Sequence, residues 1–240
     1  MSVDIQLLLM DTTSYPHAEL ELELLPRLHD AEQLRYRSFA HPRRRQTWLA
    51  GRALLLAALT REGGKVHAPG LRTDASGGVR YQDGAMPLSL SHCGSLIAVT
   101  LAHTRTGVDV EWLRPRAAVH QAERVFSRTE AVQLLALSGV ERLEAFYALW
   151  TLKEAACKAA DVPLWEALHG ACFDLKEGGF SSRPPFPPGD WRFMSAGIDP
   201  NWRLAVAARG DDLRIECWRM TGQQQWHRQA FTRQVFLRGR

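Results

Sequence analysis

The chain has 240 residues, 45% of them hydrophobic and 23% charged, with a formal net charge of +4 and a pI near 9.1. That is the make-up of a globular protein with one large or two smaller cores, and it excludes a disordered chain. The longest apolar run near the start, residues 7–10, is far short of a membrane span, and the first ten residues carry Asp4 but no Lys or Arg, so neither a secretory signal nor an anchor is expected.

Four scattered cysteines, Cys93, Cys157, Cys172 and Cys217, form no C-x-x-C pair and no dense framework. They read as reduced thiols of a cytoplasmic protein. The basic excess is mostly Arg, whose planar fork suits phosphate and carboxylate, so an anionic partner is expected.

In chain order, residues 3–9 read as an edge or lead strand, and residues 17–24 fit strand or helix equally. A helix is predicted over 31–39. After Pro42 a long apolar helix is predicted over 46–61, closed by Gly63-Gly64. Arg43, Arg44 and Arg45 precede it, where the helix dipole favours an acid. Cations placed against the dipole point to a docked anion, the alternative being a solvated arginine patch. Short strands follow at 71–73, 78–82, 88–91 and 96–101, separated by Gly-rich turns.

Gly107-Val108-Asp109-Val110-Glu111-Trp112 alternates as a strand, with Asp109 and Glu111 on one side. Two like charges side by side belong at a solvated edge or around a hard cation. Helices are predicted over 124–137, with a Ser127-Arg128-Thr129-Glu130 capping box, and over 141–160. The second ends at Asp161-Val162-Pro163 and carries Tyr147, Trp150, Glu154 and Lys158 on one face. Beyond Pro163, strands are predicted at 171–175, 191–194, 202–208 and 213–220, with a Pro-rich loop at 181–188. From residue 221 the chain is polar and basic, without a clear element.

The two halves repeat one element order, so the expected fold is α+β, built as two pseudo-symmetric subdomains: 1–103, then 104–222 with the carboxylates, and a polar basic tail over 223–240. Asp109, Glu111 and Glu154 form an all-oxygen donor set of the kind Mg²⁺ prefers. Lys153 and Lys158 beside them suit a phosphate. Ser91-His92 closes a strand where both side chains could meet an anion. It is not a hydrolase pair: there is no G-x-S-x-G elbow, and neighbours on a strand point to opposite faces.

The ordered set Ser91-His92, Gly107-Val108-Asp109-Val110-Glu111 and Trp150-Thr151-Leu152-Lys153-Glu154-Ala155-Ala156-Cys157-Lys158 resembles the 4′-phosphopantetheinyl transferases of the long, surfactin-synthetase-activating type. The last segment has that family's W-[S/T/C]-x-K-E-[A/S]-x-x-K form. The resemblance implies coenzyme A bound in a cleft between two subdomains of a monomer. It also implies Mg²⁺-dependent transfer of the 4′-phosphopantetheine arm to a serine of an acidic apo acyl or peptidyl carrier protein, an activity of the holo-[acyl-carrier-protein] synthase type that releases adenosine 3′,5′-bisphosphate. On that reading Asp109, Glu111 and Glu154 hold the metal, and Glu154 and Lys158 serve catalysis. Lys153, Lys158, Ser91, His92, Arg35 and Arg45 meet the phosphates and nucleotide.

Two departures stand out. The family's Gly-Lys-Pro turn is here Gly77-Gly78-Val79-Arg80, and Glu32 and Trp48 stand where some members have a basic residue and a threonine. Arg80, Arg43 to Arg45 and Arg52 are the candidates to supply the missing charge. The alternatives are a degenerate coenzyme A binder that transfers nothing and a Mg²⁺-dependent phosphodiesterase or nuclease. A nucleic-acid module is disfavoured by three convergent carboxylates, and no membrane partner is expected.

Overall fold

The computed structural model describes residues 2–15, 17–63, 68–74, 78–81, 87–115, 125–222 and 225–239. Its first strand, β1 (Ser2–Asp11), is fully buried at Leu7, Leu8, Leu9 and Met10. A strand apolar on both faces belongs inside a sheet, and β1 is an interior strand, not an edge. The ambiguous stretch after it is a helix, α1 (His17–Glu23). Its His-Ala-Glu-Leu-Glu-Leu-Glu alternation mimics a strand, but Ala, Glu and Leu favour helix. The mismatch of period leaves Leu22 exposed at 78%.

Next comes α2 (Asp30–Ser38), capped by His29, whose Nδ1 accepts from Ala31 N. The long helix α3 (Pro42–Arg61) starts four residues before the expected Gln46, because proline is preorganised for a first helical turn and His41 caps it. The strands β2 (Leu71–Thr73), β3 (Val79–Tyr81), β4 (Leu88–Cys93) and β5 (Leu96–Ala102) complete this part. The expected closing Gly64, strand end Gln82 and turn residue Gly77 lie outside the described residues.

The second half opens with β6 (Thr106–Trp112), followed by α4 (Arg128–Leu135), α5 (Gly139–Ala160), α6 (Leu164–Gly170), β7 (Ala171–Asp174), β8 (Gly179–Ser182), β9 (Trp191–Asp199) and β10 (Trp202–Arg209). The expected start of α4 at Arg124 is outside the described residues. Sequence reading missed the short helix α6, hidden between Pro163 and a Gly, and the four-residue strand β8.

The last part is not a loose tail. After β11 (Asp212–Thr221), close to the strand expected at 213–220, it forms β12 (Gln225–Arg228) and β13 (Thr232–Gly239). β12 is mostly polar, and β13 exposes Val235 and Phe236 while burying Leu237, so the two-residue alternation that signals a strand is weak there.

Two compact units result. One joins Asp4–His103 to Ile215–Gln229, the other Thr104–Arg214 to Met1–Val3 and Ala230–Arg240. Among the described residues the first holds the sheet β12-β11-β1-β5-β4 and the β2-β3 ribbon, the second the sheet β6-β10-β9-β13-β8-β7. The architecture is α+β. In the first unit α3 buries Leu49, Leu54 and Leu55 with Leu8, Ile97 and Val99 of the sheet. In the second, Phe146, Tyr147 and Leu152 of α5 join Phe173, Trp191 and Phe193. Each fully enclosed side chain of this size contributes about 1.5–3 kcal/mol. Among the described residues no helix is long and apolar enough to cross a membrane.

Candidate active site

The second unit is organised by how closely α5 lies on β6. The helix runs unbroken through Ala, Leu, Lys and Glu, all good formers. It ends at Asp161, in the left-handed region at φ 58°, just before Val162-Pro163. Over Gly107 the two backbones nearly touch: a Cβ there would sit 2.0 Å from the Ala155 carbonyl oxygen and 2.7 Å from Ala159 N. Only glycine allows this approach. Sequence reading quoted Gly107 without a role, although a glycine inside a strand signals a close backbone.

With Ala155 and Ala159 over Gly107, their neighbours Glu154 and Lys158 flank the strand. Lys158 Nζ donates to Val108 O at 3.0 Å and to Asp109 Oδ1 at 2.8 Å. The Asp109 side chain is 8% exposed and that of Lys158 28%. The other half of the expected helix face is structural. Tyr147 OH donates to Arg114 O at 2.8 Å, and the Trp150 ring stacks on Phe146.

Burial raises the Glu154 carboxyl pKa above its ordinary value. The negative charges of Asp109 and, less strongly, Glu111 push the same way, and Lys158 opposes them. For Lys158, burial pulls the ammonium down, but Asp109 and Glu154 outweigh it and leave the pKa above the ordinary lysine value. The neighbouring Cys157 thiol is pushed up to about 12, first by burial and then by Glu154. It is inert as a nucleophile near neutral pH.

Among the described residues no three His, Cys, Asp or Glu side chains are gathered closely enough to hold a metal ion. The expected set of Asp109, Glu111 and Glu154 is thus assembled electrostatically but not drawn in as ligands, and the Lys158 ammonium lies against Asp109. The donors are hard oxygens in mutual repulsion, a chemistry that fits a hard divalent cation.

Lys153 requires a correction. It was expected to meet phosphate, but it is fully buried. Its Nζ donates to Glu130 Oε2 at 2.8 Å, Leu168 O at 2.8 Å and Ala171 O at 2.6 Å. An ammonium has three hydrogens, and all three are used. Glu130, read from the sequence only as a capping residue, is its buried partner.

The first unit has its own anion-suited feature, a cavity of about 630 Å³ lined by Arg35, Arg43, Arg44, His41, His92 and Trp48, among others. Arg35 and His92 are on this pocket. Two other expected contacts are not. Arg45 turns back to donate from Nε to Phe39 O at 2.7 Å, and its guanidinium lies over the Tyr36 ring. Ser91 is buried on the opposite face of β4 from exposed His92, as strand alternation requires.

Of the candidates for the missing charge, Arg80 pairs with Asp74 at 3.1 Å. Arg52 is buried, gripped by Glu32 at 2.9 and 3.0 Å, bonded to Thr73 Oγ1, and stacked 3.9 Å from the Trp48 ring centre. Glu32 and Trp48, which together make the second departure from the family pattern, thus form one packed group with Arg52. Among the described residues, the remaining charge on the pocket falls to Arg35, Arg43 and Arg44, the last over the Phe39 ring.

Residues 105–207 match the family model of the 4′-phosphopantetheinyl transferase superfamily. The chain is 36% identical over 127 residues to 4′-phosphopantetheinyl transferase AcpT of Salmonella typhimurium, covering 51% of this chain and 62% of the relative. AcpT of Escherichia coli K12 gives the same identity and coverage. The 4′-phosphopantetheinyl transferase Sfp of Bacillus subtilis is 29% identical over 126 residues, 52% of this chain and 56% of the relative. The match therefore spans less than two thirds of each of these relatives. The segment that fits the family model includes β6 and the whole of α5, the elements that carry the carboxylate and lysine cluster. Through this segment the chain is similar to the 4′-phosphopantetheinyl transferase superfamily.

Proposed function

We propose that this protein transfers the 4′-phosphopantetheine arm of coenzyme A to a serine hydroxyl of an apo acyl or peptidyl carrier protein, releasing adenosine 3′,5′-bisphosphate in a Mg²⁺-dependent reaction. The observation that carries the reading is the placement of Glu154 and Lys158, one turn apart on α5, against Asp109 of β6, inside the segment matching the superfamily. The names of the relatives support the same activity.

In this reading Asp109, Glu111 and Glu154 hold the metal, which when bound supplies charge neutralisation to the pyrophosphate of coenzyme A. Lys158 keeps its proton because Asp109 and Glu154 favour the charged form. Two of its donors are anchored on Val108 and Asp109, which leaves the third to meet the departing phosphate. Glu154, or a water held beside it, accepts the serine proton as the hydroxyl attacks phosphorus. Proximity supplies much of the rest, because two rigid backbones in contact at Gly107 fix these side chains.

The arginine-lined cavity of the first unit, with Arg35, Arg43 and Arg44 as charges and Trp48 as an aromatic wall, is by itself suited to a phosphorylated nucleotide. The net positive charge of the chain favours an acidic carrier protein. We place the protein in the cytoplasm as a monomer.

The test is the intact mass of several purified apo carrier proteins after incubation with this protein, coenzyme A and Mg²⁺. A gain of about 340 Da, the covalent mass of one phosphopantetheine, absent with Glu154→Gln, is the expected result. No gain on any carrier, with coenzyme A binding intact, would leave a binder without transfer and overturn the proposal.

A further inference from the structure

The buried pair behind the carboxylate cluster has no part in that mechanism, yet each of its charged atoms is hydrogen-bonded. Lys153 and Glu130 are both 0% exposed. Each Nζ hydrogen of Lys153 is spent as described. On Glu130, Oε2 accepts from Lys153 and from Ser127 N at 2.9 Å, and Oε1 accepts from Phe173 N at 2.8 Å. The Phe126 and Phe173 rings close over the ammonium, each 5.8 Å from Nζ. One ion pair therefore ties the start of α4, the middle of α5, the end of α6 and β7.

Such a pair is a poor device for stability alone. Two apolar side chains of the same volume commonly hold a core as well or better. What apolar packing lacks is direction: it tolerates a helix turning about its axis, whereas five hydrogen bonds to four elements do not. Lys153 is the residue immediately before Glu154, so any rotation of α5 that slackens Lys153 swings Glu154 through the same angle. On a helix about 10–12 Å across, a turn of about 10° moves a side-chain tip by about 1 Å. Misplacement of that size costs on the order of a hundredfold in rate.

We infer that Glu130 and Lys153 are a positioning pair that fixes the rotation of α5 and so aims Glu154 and Lys158 at β6, and that Lys153 meets no phosphate. The functional half rests on the transfer reading above. The test uses the full chain carrying Glu130→Gln, Lys153→Met, or both. It measures steady-state transfer, Mn²⁺ affinity by electron paramagnetic resonance, and thermal melting, with kinetics taken well below the melting point.

Positioning predicts that both single variants lower kcat by about 10- to 100-fold and weaken Mn²⁺ binding by a similar factor. The KM for coenzyme A stays within about threefold, and the double variant is little worse than either single one. If Lys153→Met instead raises that KM tenfold or more while Glu130→Gln behaves like the parent, Lys153 is a phosphate contact and the inference is overturned. If both variants melt lower but keep kcat and Mn²⁺ affinity, the pair is only structural support, which overturns it equally. Should Lys153→Met not fold, Glu130→Gln and the double variant decide. Should the parent transfer nothing to any carrier, the activity proposal fails, while the Mn²⁺ measurement still decides whether the pair sets the carboxylates.

Discussion

Replacing Gly107 by alanine adds one methyl group where α5 and β6 meet. The new Cβ would lie 2.0 Å from Ala155 O, whereas a carbon–oxygen contact settles at about 3.3 Å. The helix must therefore back away by about 1.3 Å, since the atom it meets is backbone and cannot rotate aside. Overpacking of this kind costs about 1–3 kcal/mol, sometimes more. At the upper end this is a drop of roughly 6–12 °C in melting temperature for a chain of this length. The displacement also lifts Glu154 and Lys158 from Asp109, so kcat for phosphopantetheine transfer should fall on the order of a hundredfold. Differential scanning fluorimetry and a fixed-time mass assay on an apo carrier protein read both effects. A Gly107→Ala protein that melts with the parent and turns over within about twofold would refute the claim that this contact sets the site.

Glu154→Gln should change the pH dependence of stability in metal-free protein. Because its folded pKa lies above the ordinary 4.5, the folded state holds this proton more tightly. The stability it contributes is present at low pH and lost as pH rises from about 4.5 through the raised value. Melting curves of the variant should lack that decline, and Mg²⁺ should raise the melting temperature of the parent but not of the variant.

Removing Arg44 or Arg35 should raise the KM for coenzyme A roughly 10- to 100-fold, the worth of a charge-assisted hydrogen bond. Arg45→Ala should leave KM unchanged and cost only about 1 kcal/mol in unfolding free energy, because its guanidinium serves the Phe39 carbonyl. Stopped-flow encounter with an acidic carrier should slow as salt rises from about 0.01 to 0.15 M, where the Debye length falls from about 30 to 8 Å. A rate indifferent to salt would exclude long-range steering.

The main helix and the strand beside it were legible because their signals are local: strict alternation around Asp109, and an unbroken helix former run ending at Pro163. The residue types of the cluster were legible for the same reason. What was not legible depends on direction in three dimensions. Lys153 and Lys158 look alike in sequence, yet five residues of helix turn them to different sides, one into a sealed core and one toward Asp109. Arg43, Arg44 and Arg45 are equally indistinguishable until the α2 carbonyls claim the third. Ser91 and His92 fall on opposite faces of β4, which the period of a strand already implied. Of the last strands, the one expected at 213–220 is β11, whereas β12 and β13 escaped notice because most of their residues are polar and lack alternation.

Both sheets are completed by the end of the chain. β11 covers the flank of β1, and β13 lies between β9 and β8. During synthesis the ribosome delivers these strands last, so the N-terminal sheet must wait with β1, apolar on both faces, as an open edge. A fragment ending at His103 would carry that edge permanently and should aggregate. The division between the units is thus not a place where the protein can be cut, and trimming the final 25 or so residues as a dispensable extension should cost the cell soluble protein before it costs any chemistry.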